Sequence, residues 1–275
     1  MPELPEVETI RRDLAPELEG RRIVRATIRK PDLLLGPRTR PGFLRRIEGR
    51  RIERIGRRAK YLLFHLEPAG VMQVQLRMSG RFALGEVLPD PAEFTHVVAE
   101  FALDDGRTLF YDDVRRLGGF RLYDPAEWAV AEAALGPEPL DPDFTARRLE
   151  LALAGSRAPV KNALMNQARV AGLGNIYASE TLHRAAIDPR RPAGGLRPAE
   201  LGRLHRAIRH VLRRALERAG TTFRDYRAVN GRRGEFQSAL RVYAREGEPC
   251  ARCGGEIRRI VQAGRSTFFC ADCQG

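Results

Sequence analysis

Lysine is almost missing from this sequence. Of 48 basic residues only Lys30, Lys60 and Lys161 are lysine, leaving 45 arginines. Such a bias fits genomic base composition. A lysine that survives it marks a position where a compact ammonium serves and a planar guanidinium does not. Cysteine is absent from the first 249 residues, which excludes a disulfide framework for the body of the chain. No apolar run is long enough to cross a bilayer. The opening MPELPEVETI is acidic, with no basic region followed by an apolar stretch, so it does not read as a secretory leader. A cytoplasmic, nucleoid-associated monomer with no membrane partner is expected. What the chain has in excess is positive charge: +13 over 275 residues. A field of that size draws polyanions, so nucleic acid leads as partner, with a ribosomal or merely basic protein as the rival.

The hydrophobic pattern gives an α+β chain in several parts. Leu4, Val7, Ile10 and Leu14 recur at helical spacing before Gly20. Short β-like runs follow at Arg22–Arg29, Arg51–Glu67, Val71–Leu84, His96–Leu103 and Arg107–Asp112. Asp105-Gly106 provides a hairpin turn between the last two. Residues 1–130 are therefore expected to form a β-sandwich with a leading helix. A linker at 131–142 is punctuated by Gly136-Pro137-Glu138-Pro139. Residues 143–241 read as helical, over Phe144–Ala154, Pro159–Gln167, Asn175–Ala185 and Pro198–Ala219. Residues 220–236 form a loop long enough to be functional.

The tail, 242–275, holds the four cysteines as two Cys-x-x-Cys pairs, Cys250 with Cys253 and Cys270 with Cys273, separated by 16 residues. That spacing suits a zinc ribbon, and four thiolates leave no open coordination position, so one structural Zn2+ is expected. Two short strands between the pairs turn at Ala263-Gly264 and present Arg265 near the tip, a natural phosphate contact.

At the other end, Pro2 follows the initiator Met. Once that Met is removed, the chain begins with a secondary amine. An α-amino pKa near 8 leaves a nucleophilic fraction at neutral pH, and attack on a sugar C1′ gives an iminium. Glu3 and Glu6 are close enough to handle protons, although acids at a helix start are also ordinary capping.

These motifs carry a resemblance. PELPEVET, RRAKYLL (57–63), LRMSG (76–80), YDDVRRLGG (111–119), LGPEPL (135–140), AGLGNIYASE (171–180), GTTFRDY (220–226) and the ending GRSTFFCADCQ resemble the formamidopyrimidine-DNA glycosylases along the whole chain. The related endonuclease VIII branch, which prefers oxidised pyrimidines, opens on PEGPE and lacks a matching loop. A zinc-ribbon DNA binder without catalysis is the alternative from another class.

The resemblance implies a base-excision glycosylase with AP lyase activity, acting on duplex DNA with oxidised purines or abasic sites. It implies a helix–two-turn–helix motif over about Phe144–Ala185. It assigns catalysis to Pro2, Glu3, Lys60 and Arg265, and DNA contacts to His96, Arg115, Arg116, Lys161, Asn175 and Tyr177. Met78, Arg115 and Leu117 would fill the gap left by a flipped base, and Thr222, Arg224 and Tyr226 would contact that base. Several positions depart from the family's habit. Leu117 stands where Phe is common, Val114 for Pro, Gln75 and Arg77 for His and Gly, and Asn166 for Asp. Leu117 weakens the stacking expected beside the orphaned base.

Overall fold

A computed structural model describes residues 2–36, 39–221 and 234–275. The chain divides into two compact units. Unit 1 comprises Met1–Glu132 and Ala219–Glu235, and unit 2 comprises Ala133–Arg218 and Phe236–Gly275.

Unit 1 begins with α1 (Leu4–Leu18), which starts where the sequence supplies Glu3 as cap, Pro5 in the first turn and Glu6 to complete a capping box. Its stripe of Leu4, Val7, Ile10, Leu14 and Leu18 is fully buried. There follow β1 (Ile23–Ile28), α2 (Arg40–Ile47), β2 (Arg51–Arg58), β3 (Tyr61–Glu67), β4 (Gly70–Gln75), β5 (Arg81–Gly85), β6 (Val97–Leu103), β7 (Thr108–Asp112) and β8 (Gly119–Tyr123). The strands form two antiparallel four-stranded sheets, ordered β1-β6-β7-β5 and β2-β3-β4-β8. Their facing sides share one core with α1 and α2, in which the Phe120 ring meets Phe101 and Tyr111 edge-on at 5.3 and 4.9 Å.

Two of the expected long runs are broken. Arg51–Glu67 is a hairpin whose turn, Ala59-Lys60, carries no glycine, with Ala59 at φ 53°. Lys60 therefore sits at a turn and does not share a strand face with Arg58. Val71–Leu84 splits at Arg77 (φ 52°), and its two halves enter different sheets. The strand β8 and the helix α2 did not stand out in the pattern of the sequence.

α3 (Pro125–Ala133) lays Trp128 on Leu63, Val71 and Tyr123, on the outer face of the second sheet. Unit 2 then contains α4 (Ala146–Leu153), capped by Thr145, followed by α5 (Val160–Met165), α6 (Asn175–Ala185) and α7 (Pro198–Glu217). Between α5 and α6 the Gln167 side chain donates to the carbonyls of Met165 and Leu173 and accepts from Gly172 N. One side chain thus holds both turns of this segment. Last come β9 (Ile257–Gln262) and β10 (Arg265–Cys270), an antiparallel hairpin, and the short α8 (Ala271–Gln274). The architecture is the expected α+β one, with a sandwich, a helical part and a terminal β-hairpin.

Candidate active site and DNA-contacting loops

Pro2 is buried at the head of α1, and Glu3 and Glu6 are each about 1 % exposed. The Glu6 carboxylate joins two segments far apart in sequence. One oxygen accepts the Glu3 N–H at 2.8 Å, and the other accepts the Thr221 N–H at 2.7 Å. Thr221 also forms an isolated antiparallel bridge with Glu235. Gly220 is required beside them. Its φ is +81°, and a Cβ there would lie 2.6 Å from the Glu6 oxygen. Residues 222–233 lie outside the described residues, and Thr222, Arg224 and Tyr226 with them.

Lys60 is braced from the same helix. Arg57 pairs with Glu8 of α1 at 3.2 Å and donates to Ala59 O at 3.0 Å, immediately before the lysine. Burial would raise the Glu8 carboxyl, but hydrogen bonds and charge from Arg11, Arg57 and Arg12 outweigh it and hold the group below its ordinary range.

The proposed gap-filling residues lie on two loops leaving one sheet edge, where Gln75 of β4 pairs with Gly119 of β8. Met78 is on the first loop, and Arg115 and Leu117 are on the second. Met78 and Leu117 are 41 % and 49 % exposed, and Val114 on the second loop is 52 % exposed, so the two loops together present three apolar side chains to solvent. The loops are tied together beneath these residues. Ser79 Oγ donates to Asp113 and accepts from Arg115 N, while the other Asp113 oxygen accepts from Gly118 N at 2.8 Å. Under them lies Tyr111, its hydroxyl proton held tightly by burial and by the neighbouring Asp113 and Asp112 charges. Arg116 adopts φ 49° and pairs with Asp32 at 3.2 Å. His96 is exposed just before β6, its backbone N–H donated to Asp112 and its ring bonded to Thr95.

In unit 2 the side chains of two of the expected DNA contacts, Lys161 and Tyr177, point inward. Lys161 is wholly buried, and its ammonium donates to Ser266 O at 3.0 Å and Thr267 Oγ1 at 2.7 Å. Tyr177 is also wholly buried, with its ring 5.9 Å from that of Phe236. Neither side chain reaches solvent in this structure. Asn175 begins α6, where the helix dipole favours an anion. Its Nδ2 also donates to Ser266 O at 3.0 Å, while Oδ1 is buried with no hydrogen-bond partner among the described residues. Lys161 and Asn175 thus converge on the carbonyl next to Arg265, which is exposed at the start of β10. The sequence marked Lys161 by its rarity. Its inward direction left no signal there, and nor did the buried carboxylate of Glu180, which accepts the N–H groups of Arg241, Val242 and Tyr243 at 2.9 Å.

The four cysteine sulfurs lie within 4.8 Å of one another, at 3.8 Å for Cys250–Cys273 and 3.5 Å for Cys253–Cys270. A tetrahedral site with ~2.3 Å Zn–S bonds needs sulfurs roughly 3.8 Å apart. The residues fit the metal.

Family models match in chain order. They are the formamidopyrimidine-DNA glycosylase N-terminal domain over residues 1–120, the H2TH domain of the same family over 135–227, and the zinc finger found in FPG and IleRS over 247–275. The chain belongs to the formamidopyrimidine-DNA glycosylases. It is 48 % identical to the formamidopyrimidine-DNA glycosylase of Azorhizobium caulinodans, covering all of both chains. It is 50 % identical to that of Symbiobacterium thermophilum, covering all of this chain and 89 % of the other. The crystal structure of MutM (Fpg) from Thermus thermophilus superposes with a TM-score of 0.88 at 41 % identity, over 100 % of this chain and 99 % of that one. Lactococcus lactis Fpg in complex with abasic-site DNA gives 0.89 at 35 % identity over 99 % of each. Membership makes the chain a DNA glycosylase of base-excision repair with one structural zinc. Among the described residues no helix is long and apolar enough to cross a membrane.

Proposed function

We propose that the chain excises oxidised purines from duplex DNA and then nicks the strand, with the Pro2 amine as nucleophile. The observation that carries this reading is the Glu6 clamp, which fixes the Glu3 amide beside Pro2 and the Thr221 amide to one carboxylate. An N-terminus that only capped a helix would have no need of a second link to a residue 215 positions away.

The chemistry follows from the residues in order. The neutral Pro2 nitrogen donates its lone pair to C1′, and the oxidised base departs with the glycosidic electron pair, taking up a proton. Glu3 protonates O4′, which opens the sugar as the C1′–N bond becomes an iminium. The iminium acidifies the C2′ proton. Loss of that proton expels the 3′ phosphate, and a second elimination expels the 5′ phosphate. Water then hydrolyses the iminium and frees Pro2. Lys60 and Arg116 are assigned to backbone phosphates in unit 1, and the α6 start at Asn175 and Arg265 to phosphates in unit 2, giving strong salt dependence. Met78, Arg115 and Leu117 occupy the space of the flipped nucleotide, and Arg115 can hydrogen-bond the orphaned base. The zinc held by Cys250, Cys253, Cys270 and Cys273 has no open position and supplies no chemistry. It fixes the hairpin that carries Arg265. The partition of labour is a catalytic part at 1–130, a helical DNA-gripping part at 143–241 and a zinc finger at 242–275. The place of action is the nucleoid in the cytoplasm.

Borohydride trapping on two labelled duplexes tests this, one with 8-oxoguanine opposite cytosine and one with an oxidised pyrimidine. A covalent adduct forms mainly on the first and is lost in Pro2→Gly. An adduct mainly on the second would transfer the chain to the pyrimidine branch.

A further inference from the structure

The helix α6 spans 11 residues, so its C-terminal end is about 15 Å from Asn175. There, wholly within unit 2, a cleft of two adjoining lobes opens among α6, α7 and the first zinc knuckle. One lobe is about 340 Å3 and the other about 400 Å3, and they share Arg184, His210 and Arg252. The walls carry Arg184, Arg203, Arg206, Arg214, Arg241 and Arg252, over a floor that includes Ala207, Val211 and Ala251. The lining contains one carboxylate, that of Glu180, and both its oxygens are engaged by backbone N–H groups.

Arginine is common in this chain, so its mere presence there means little. The gathering of six around one cleft, five of them without an ion pair among the described residues, means more. Elsewhere in unit 2 several arginines are neutralised, Arg190 by Asp188, Arg191 and Arg197 by Glu200, and Arg245 by Glu248. Others, such as Arg157, Arg213 and Arg258, stand unpaired among the described residues but line neither lobe of the cleft. In the cleft Arg214 pairs with Glu217 at 3.5 Å. Arg184, Arg203, Arg206, Arg241 and Arg252 have no carboxylate in ion-pair distance among the described residues. Two of these have a structural use, since Arg252 donates to Arg184 O and Arg203 to Ala185 O at the end of α6. That leaves Arg184, Arg206 and Arg241 unexplained. The field converges inside: the His210 proton is held more loosely than usual, by burial first and then by Arg184 and Arg214.

We propose that this cleft is a second phosphate-binding site, distinct from the one at the α6 start, for a ligand carrying several phosphate charges. Guanidinium forks pair with phosphate oxygens in two-point fashion, and so many like charges in one concavity favour a ligand of high charge density. Two sources share that chemistry: the backbone of a second DNA segment and a free nucleoside polyphosphate.

The test uses the zinc-loaded full chain and the double variant Arg184→Glu with Arg206→Glu, both side chains exposed. Inorganic tripolyphosphate is titrated calorimetrically against the preformed complex with an abasic-site duplex. The native chain binds one tripolyphosphate without releasing the duplex. The double variant binds it more than about tenfold less tightly, with abasic-duplex affinity and zinc content unchanged. Arg184→Gln with Arg206→Gln gives the same direction with less repulsion if the glutamates perturb folding. ATP and an undamaged second duplex are then offered in turn. Binding of ATP alone assigns the site to free nucleotides, and a ternary complex with the second duplex assigns it to DNA. The proposal is overturned if the lesion duplex displaces tripolyphosphate one for one, if the double variant binds it as the native chain does, or if a glutamate peptide binds more tightly than tripolyphosphate.

Discussion

The two ends of this chain are held in place by different physics. The N-terminus is the first turn of a helix whose apolar stripe lies in a core shared by two four-stranded sheets, so Pro2 and Glu3 rest on a large hydrophobic foundation. The C-terminal hairpin has almost none: Val242, Cys250, Ile257, Phe268 and Cys270 are its buried cluster, and two of those are metal ligands. A core so small does not stabilise a fold unaided, and the zinc does much of that work. The chemistry thus sits on the part that needs no cofactor to fold. Arg265, the proposed phosphate contact, sits on the part that does.

Removing the metal should break the comparison most visibly. Structural zinc contributes on the order of 10–16 kcal/mol to small sites of this type. Chelation, or Cys250→Ser, is expected to abolish strand cleavage and release one zinc per chain, while the sandwich keeps its own melting transition. Loss of both transitions together would show that the first unit also depends on the metal.

Lys161→Met sharpens the same point from within unit 2. It removes the donor to Ser266 O and Thr267 Oγ1 in a buried place, a loss of about 1–3 kcal/mol. The hairpin should loosen, KM for the lesion duplex should rise with kcat little changed, and zinc should exchange faster. An unchanged zinc exchange rate would contradict the positioning role.

Glu6→Gln is the matching test in unit 1. An amide keeps one acceptor oxygen, so either Glu3 N–H or Thr221 N–H loses its partner. If residues 222–226 contact the lesion base as proposed, its excision should fall by roughly tenfold more than cleavage of a ready-made abasic site. Equal losses would place the effect on the nucleophile alone.

The smallest effect expected concerns acid. Glu8 is held below its ordinary value of 4.5, so the stability it contributes is complete above that pH and is lost as pH falls through its lower folded value. Glu8→Gln should therefore lower thermal stability slightly at neutral pH, flatten the acid limb below about pH 4.5, and converge with the native chain at lower pH. A parallel shift at every pH would point to lost packing.

Much of this was legible in the sequence, for reasons that can be named. The α1 stripe, the Asp105-Gly106 turn and the paired cysteines each have a local pattern that fixes one outcome. The break at Ala59-Lys60 and the left-handed Arg77 have no glycine or proline to announce them, so two strands read as one run. The inward turn of Lys161 depends on a carbonyl and a hydroxyl over 100 positions away, Ser266 and Thr267, which no local window contains. The same is true of Glu6, whose pattern suggests a capping box and whose second oxygen serves Thr221, 215 positions on.

The central claim is that Pro2 carries the covalent step. The most direct measurement is mass-spectrometric mapping of the borohydride-reduced adduct formed on duplex DNA with 8-oxoguanine opposite cytosine. The account predicts a chain that starts at Pro2 and carries the sugar remnant on its N-terminal nitrogen. A remnant on Lys60, or an adduct formed by a chain that retains Met1, would contradict it.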